Sequence, residues 1–288
     1  MEGKTLVLGA TGAIGRRVAR GLAALGAPVV AATRRPEALD GPAVRLDLEE
    51  PATFAPALAG VERVFLVARP GDDAPERLAL PLIAAMVRAG VRHVVNLSAL
   101  GVGERPDFGL RRVELALEAS GMGWTHLRPN WFMEVLAGPG LGPAIRERGV
   151  FALPTADAAV SYVAAEDVAA TAVAVLAAPH THARQAYTLT GPEGLDGDAV
   201  AAQLSRVTAR PVRYVALTED AARSALAGSG FPPAWVERLL GFYRLVRAGI
   251  AAPVDDAVAR VLGRPAVSLA RWVDLHGPLF AAPGAQHA

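Results

Sequence analysis

The first half of the chain alternates two hydrophobic rhythms. Short β-branched or apolar runs at 5–8, 28–33, 44–48, 61–67, 93–98 and 125–128 read as strands. Between them lie stretches with helical periodicity. Ile14, Val18, Leu22 and Leu25 form one apolar stripe, with Arg16, Arg17 and Arg20 on other faces and Gly26 as the stop signal. Further helices are expected at 52–59, 75–89 and 110–119. Strands alternating with helices imply right-handed βαβ units around a parallel sheet.

The rhythm changes after Pro129. A Gly/Pro-interrupted stretch runs through Pro143, followed by short expected strands at 150–153 and 160–163. A helix over 166–177 and a strand over 187–190 read as a return to the main sheet. Beyond Gly191 the pattern is mostly helical, at 196–209, 218–227, 233–248, 254–262 and 268–280, with one strand at 212–217 and a loose tail at 281–288. The expected class is therefore α/β: a Rossmann-type doubly wound parallel sheet with a smaller, mostly helical C-terminal substrate region. Residues 1–134, rejoined by 164–191, form the dinucleotide-binding domain; 135–163 and 192–288 form the substrate-binding region.

The turn after the first strand reads Gly9-Ala10-Thr11-Gly12-Ala13-Ile14-Gly15. Placed between a strand and a helix, this spacing fits a pyrophosphate-binding turn. Gly9 permits the tight turn, Gly12 lets a phosphate approach the backbone, and Gly15 lets the helix pack close. A P-loop is excluded, since Arg16 stands where its lysine would be. The second strand ends Thr33-Arg34-Arg35, with no acid between Pro28 and Pro36. Two guanidiniums there suit the 2′-phosphate of NADP rather than a bare ribose, Arg34 first and Arg35 second. NADP(H) is thus the expected cofactor.

Composition then removes chemistries. Of 29 Lys+Arg residues only Lys4 is lysine, cysteine is absent, and the formal net charge is +1 across 288 residues. Thiolate nucleophiles, disulfides, Cys-ligated metals and a catalytic lysine in the body of the chain are excluded. The balanced charge argues against nucleic acid as a partner. Neither a signal-type segment nor a run long enough to span a membrane stands out, which reads as cytoplasmic. His180 and His182 lack a third ligand, so no metal site is expected.

The GxxGxxG spacing resembles the extended and atypical short-chain dehydrogenase/reductase (SDR) proteins. In them, Asp47 and Leu48 would lie by the adenine, while Val67, Ala68, Arg69 and Pro70 would pass beneath the ribose and nicotinamide. An ordinary member uses a Tyr-x-x-x-Lys dyad assisted by a serine. Ser98 matches the serine, but the first tyrosine is Tyr162 and the dyad is missing. With the stretches 94–101, 113–114, 120–134, 163–169, 187–192 and 262–264, the chain is similar to the NmrA-like family of atypical SDR proteins, whose members include NADPH-dependent quinone reductases and non-catalytic regulators. The resemblance implies that Gly9, Thr11, Gly12, Ala13, Ile14, Gly15, Thr33, Arg34, Arg35 and Ser98 hold the cofactor. The segment containing Pro129 and Phe132 would pass the nicotinamide. Leu110 and Val135 depart from the Lys and Asn of some members.

Hydride transfer to a quinone yields a phenolate-like anion, related to a phenol of pKa about 10, which needs no strong acid. A site without the dyad therefore suits a small hydrophobic quinone, enone or related carbonyl, with Ser98 and Asn130 as catalytic candidates. Trp131, Met133, Phe151, Tyr162, Trp235 and Tyr243 are candidate substrate walls. A monomer or homodimer is expected; a non-catalytic NADP(H) sensor is the alternative.

Overall fold

The computed structural model describes residues 3–69, 72 and 74–281. Pro70 and all but the first residue of the tail expected at 281–288 lie outside the described residues. The chain forms two compact units. The first takes the residues up to Pro129, then Ala165–Leu189 and Ala257–Arg264; the second takes Asn130–Ala164, Thr190–Asp256 and the residues from Pro265 on.

In the first unit, β1 (Lys4–Val7), β2 (Val29–Thr33), β3 (Ala43–Arg45), β4 (Val61–Val67), β5 (His93–Leu97), β6 (Gly123–Pro129) and β8 (Gln185–Leu189) form one sheet in the order β3-β2-β1-β4-β5-β6-β8. Every neighbouring pair is parallel. This is the Rossmann order extended by one strand, and it reverses between β1 and β4, where such sheets bind their ligands. Parallel strands are covered on both faces, so they carry near-continuous apolar runs. Leu6, Val64, Leu66 and Val94 are buried in one cluster with Leu58, Leu82, Met86 and Leu117 from α2 (Phe54–Leu58), α3 (Pro75–Arg88) and α4 (Gly109–Ala119). Burying each such leucine contributes about 1.5–3 kcal/mol. α1 (Ala13–Ala24) packs with α6 (Ala165–Ala177) and buries Val18 and Leu22. Leu25 is a correction: it caps the C-terminus of α1 and is 58% exposed, outside the stripe.

The second unit contains α5 (Gly142–Arg148), the two-stranded parallel sheet of β7 (Val150–Leu153) and β9 (Arg213–Ala216), α7 (Gly197–Thr208), α8 (Glu219–Gly228), α9 (Pro233–Arg247) and α11 (Leu269–Leu275). The starts of α7, α8 and α11 are capped by Asp196, Thr218 and Ser268, whose side chains each accept an N–H three residues on. α10 (Ala257–Leu262) instead packs on α6 within the first unit, where Arg264 pairs with the buried Asp167 at 2.7 Å.

Several boundaries differ from the sequence reading. The chain leaves the main sheet at Pro129 rather than at 134, because Phe132 bridges to Val163 instead. The expected strand at 160–163 is reduced to two isolated bridges, Phe132 with Val163 and Val160 with Leu195, since each pairing has a single residue opposite. The helix expected over 268–280 breaks at His276 into α11 and a 3-10 turn over Gly277–Phe280.

Candidate functional site

The glycine turn sits at the C-terminal end of β1 and has the form a phosphate cradle requires. Gly9 is left-handed (φ +64°), and its carbonyl accepts the Gly12 N–H at 2.8 Å. A Cβ on Gly15 would lie 2.3 Å from the Gly9 carbonyl oxygen, so only glycine lets α1 approach this closely. No side chain caps α1 at Gly12, and its first turn holds no acidic residue. The positive end of the helix dipole and its N–H groups are therefore left for an anion.

Other expected cofactor residues cluster at the same sheet edge. Val67, at the end of β4, reaches the turn: its Cγ1 would meet a Cβ on Gly9 at 2.7 Å. Leu48 and Val67 both pack on the first unit's core. Asp47 accepts the Glu49 N–H at 3.1 Å, and its own N–H donates to Thr53 Oγ1 at 3.1 Å, which fixes the loop after β3. Arg69 pairs with Glu49 at 3.0 Å beside that loop, next to the half-buried Ala68. At the end of β2, Thr33 Oγ1 accepts the Arg35 N–H at 3.3 Å, and Arg34 and Arg35 are exposed. Among the described residues neither guanidinium has a carboxylate partner, in contrast to Arg69.

The two catalytic expectations fare differently. Ser98, 7% exposed, has its hydroxyl oxygen buried near the Glu114 carboxylate but without a hydrogen-bond partner among the described residues. Its N–H donates to Leu127 O at 2.8 Å, tying β5 to β6. Asn130, 3% exposed in the second unit, has no donor to spare. Its amide nitrogen faces Ser161 O (3.1 Å), Ser161 Oγ (2.8 Å) and Ala251 O (2.8 Å), while its oxygen accepts the Trp131 N–H at 2.8 Å. Asn130 thus binds three loop segments together, which corrects the expectation that it polarises a substrate.

The aromatic set also divides. Met133, Phe151 and Tyr162 are buried core residues, and burial pushes the Tyr162 hydroxyl far above its ordinary pKa. They are corrected from substrate walls to packing. Trp131, Trp235 and Tyr243 keep partly open surface. Trp131 meets Tyr243 with ring centroids 5.1 Å apart, and burial raises the Tyr243 pKa to about 12. Phe132 is half-buried, and the Pro129 carbonyl at the end of β6 accepts the Leu100 N–H at 3.0 Å.

The NAD(P)H-binding family matches residues 9–179. The chain belongs to that family. It is 38% identical over 289 aligned residues to the NAD(P)H azoreductase of Xenophilus azovorans, covering 96% of this chain and 99% of that one. It is 40% identical to the (4-alkanoyl-5-oxo-2,5-dihydrofuran-3-yl)methyl phosphate reductase of Streptomyces griseus, again covering 96% and 99%. The structure of the Escherichia coli quinone oxidoreductase QOR2 complexed with NADPH superimposes with a TM-score of 0.82 at 26% identity, covering 95% and 99%. The NmrA-like, atypical SDR resemblance stands.

Sequence reasoning missed the ion cluster that this family member builds on α4. Leu110, Val113, Glu114 and Leu117 follow one helical stripe, so the signal was a carboxylate standing in an apolar face. Glu114 binds Arg128 and Arg111, and Arg111 also binds Glu118 at 2.5 Å. His126 Nδ1 lies 3.4 Å from the Asn96 amide and Nε2 lies 3.4 Å from Glu118; burial lowers its pKa to about 4, so the ring is neutral. Glu114, Glu118 and His126 offer ligand atoms within 4.8 Å of one another. Both carboxylates are already matched by two guanidiniums, which makes the group an ion-pair cluster rather than a metal centre. Among the described residues no helix is long and apolar enough to cross a membrane.

Proposed function

We propose that this protein transfers hydride from NADPH to a small hydrophobic quinone, enone or related conjugated carbonyl. The chain is an NAD(P)H-dependent oxidoreductase of the quinone, azo and dye reductase type. The observation that carries the acceptor class is the setting of the two polar candidates. Asn130 spends its amide nitrogen on Ser161 and Ala251, and the Ser98 hydroxyl is buried near the Glu114 carboxylate without a hydrogen-bond partner among the described residues. Asn130 is engaged and a lone serine hydroxyl is a very weak acid, so neither is a strong general acid, and the acceptor is one whose reduced form is a weakly basic, delocalised anion that water can protonate. The names of the azoreductase and butenolide reductase relatives support an acceptor of that electronic kind.

The cofactor, when bound, supplies the hydride. In this reading Gly9, Thr11, Gly12, Ala13, Ile14 and Gly15 cradle its pyrophosphate. Arg34 and Arg35, presented by Thr33, grip the 2′-phosphate. Asp47 and Leu48 border the adenine; Val67, Ala68 and Arg69 line the ribose side, and Pro129 and Phe132 the nicotinamide side. Trp131, Trp235 and Tyr243 supply flat apolar surface to the acceptor. What the first unit's residues contribute in this reading is orientation of the hydride donor.

The test is NADPH oxidation followed spectrophotometrically against a panel of quinones, azo compounds and conjugated ketones, with NADH in parallel. Turnover is expected with conjugated acceptors and not with isolated ketones. Tight NADPH binding without turnover of any acceptor would replace this reading with a cofactor sensor.

A further inference from the structure

One buried carboxylate ties together the chain ends at the β5–β6 side of the sheet edge. Glu114 is 0% exposed. Its Oε1 accepts from Arg128 Nε at 2.9 Å, and its Oε2 accepts from an Arg128 terminal nitrogen at 2.8 Å and from Arg111 at 2.8 Å. This two-pronged grip fixes orientation as well as charge. Arg128 immediately precedes Pro129 at the end of β6, and Ser98, at the end of β5, faces the same carboxylate. The turn between β5 and α4 is drawn in as well. A Cβ on Gly103 would lie 2.6 Å from the Arg128 guanidinium, so the guanidinium fills the space that glycine leaves.

The location decides what this arrangement serves. Ligands of doubly wound sheets lie beyond the C-terminal strand ends, with the switch point between the two halves. The ends of β1, β2 and β3 carry the glycine turn, the arginine pair and Asp47-Leu48, which is the adenosine half. The ends of β5 and β6 therefore belong to the other half of the dinucleotide. Burial alone would raise the pKa of Glu114, yet the Arg128 guanidinium, bonded to it at 2.9 and 2.8 Å, outweighs burial and holds the pKa below the usual carboxylate value, so the charge persists.

We propose that Glu114 is a positioning residue that, through Arg128, sets the end of β6, and with it the paired end of β5, for the nicotinamide half of the cofactor. It touches neither cofactor nor substrate. The proposal rests on the NADPH reading above and adds a residue to it that the cofactor motifs do not contain.

The experiment reads binding rather than turnover. Titration calorimetry on the full chain compares NADPH with 2′,5′-ADP, which carries the adenosine half and lacks the nicotinamide half. Glu114→Gln keeps the shape and removes the charge; Arg128→Lys keeps the charge and removes the fork. Both variants are expected to weaken NADPH by about tenfold or more, a shift of about 1.4 kcal/mol, while 2′,5′-ADP stays within about twofold of the parent. Because removing one partner of a buried pair strands the other charge, the second ligand reports on general damage. Equal weakening of both ligands would make Glu114 a fold-stabilising residue only. Unchanged NADPH affinity in both variants would remove any positioning role. Either result overturns the proposal while leaving the cofactor reading intact, whereas a parent chain that binds neither ligand overturns both.

Discussion

Two histidines in the first unit make the fold sensitive to mild acid. His93 and His126 are both buried, and the pKa of each is lowered from 6.5 to about 4. Burial is the main cause for both. For His93 the neighbouring His180, His182 and Arg63 charges add to it; for His126 Glu114 and Glu118 oppose it without prevailing. Between these two pKa values the unfolded chain binds more protons than the folded one. The stabilisation is therefore complete above about pH 6.5 and lost as pH falls towards 4. Integrated over the titration, each ring costs about 2 kcal/mol at pH 5 and about 3 kcal/mol below pH 4. The pair thus removes about 4 kcal/mol by pH 5, a large part of the roughly 5–15 kcal/mol that holds a domain folded. Glu114 acts in a separate window, since its lowered pKa adds stability that disappears only as pH drops below the carboxylate range. Urea titrations of the cofactor-free protein between about pH 7.5 and 5 measure this directly. Fluorescence is a suitable signal, because Trp124 stacks on His126 at 4.5 Å. The reasoning predicts that His126→Gln flattens the pH dependence by about half. It is refuted by stability that stays level to about 1 kcal/mol over this range, or by a variant whose slope equals the parent's.

Gly15→Ala drives a methyl group against the Gly9 carbonyl and is expected to cost about 1–3 kcal/mol of stability and most of the NADPH affinity; calorimetry and thermal melts check both. Arg34→Ser removes charge-assisted hydrogen bonds worth about 1.5–3 kcal/mol, so the NADPH dissociation constant rises by about 10–100-fold while that of NADH is unchanged. A parallel change in both constants would take the 2′-phosphate role away from Arg34. Asn130→Ala leaves the Trp131 N–H without its side-chain acceptor and takes one donor from each of the Ser161 and Ala251 carbonyls, and is expected to lower stability by about 1–3 kcal/mol. A variant with parental melting temperature and collapsed kcat would restore Asn130 as a catalytic group.

What the sequence made legible was local. The glycine turn, the strand before it and the helix after it are contiguous, and steric need for glycine shows in the spacing itself. The position of Arg34 and Arg35, exposed just after β2, could be read for the same reason. Where partners lie far along the chain the reading failed. Asn130 looks like a polar group at the mouth of a site until Ala251, 121 residues away, is seen to hold it. Residues 160–163 alternate like a strand, but a strand needs a continuous partner, and here Leu195 and Phe132 each offer one residue. Glu114 was visible as a misfit in an apolar stripe, yet its meaning depended on Arg128, fourteen residues on and in another element.

The first unit is also not finished when its sixth strand is made. β8 joins β6 only after residues 130–164 have been added, and Arg264 reaches Asp167 later still. On a ribosome adding about 5–20 residues per second, the edge of β6 waits several seconds for its partner. Its neighbour in the sheet comes from a segment whose intervening chain folds elsewhere. Synthesis order therefore exposes an unpaired parallel edge during this interval, and nascent-chain aggregation should be most sensitive to translation speed between codons 130 and 189.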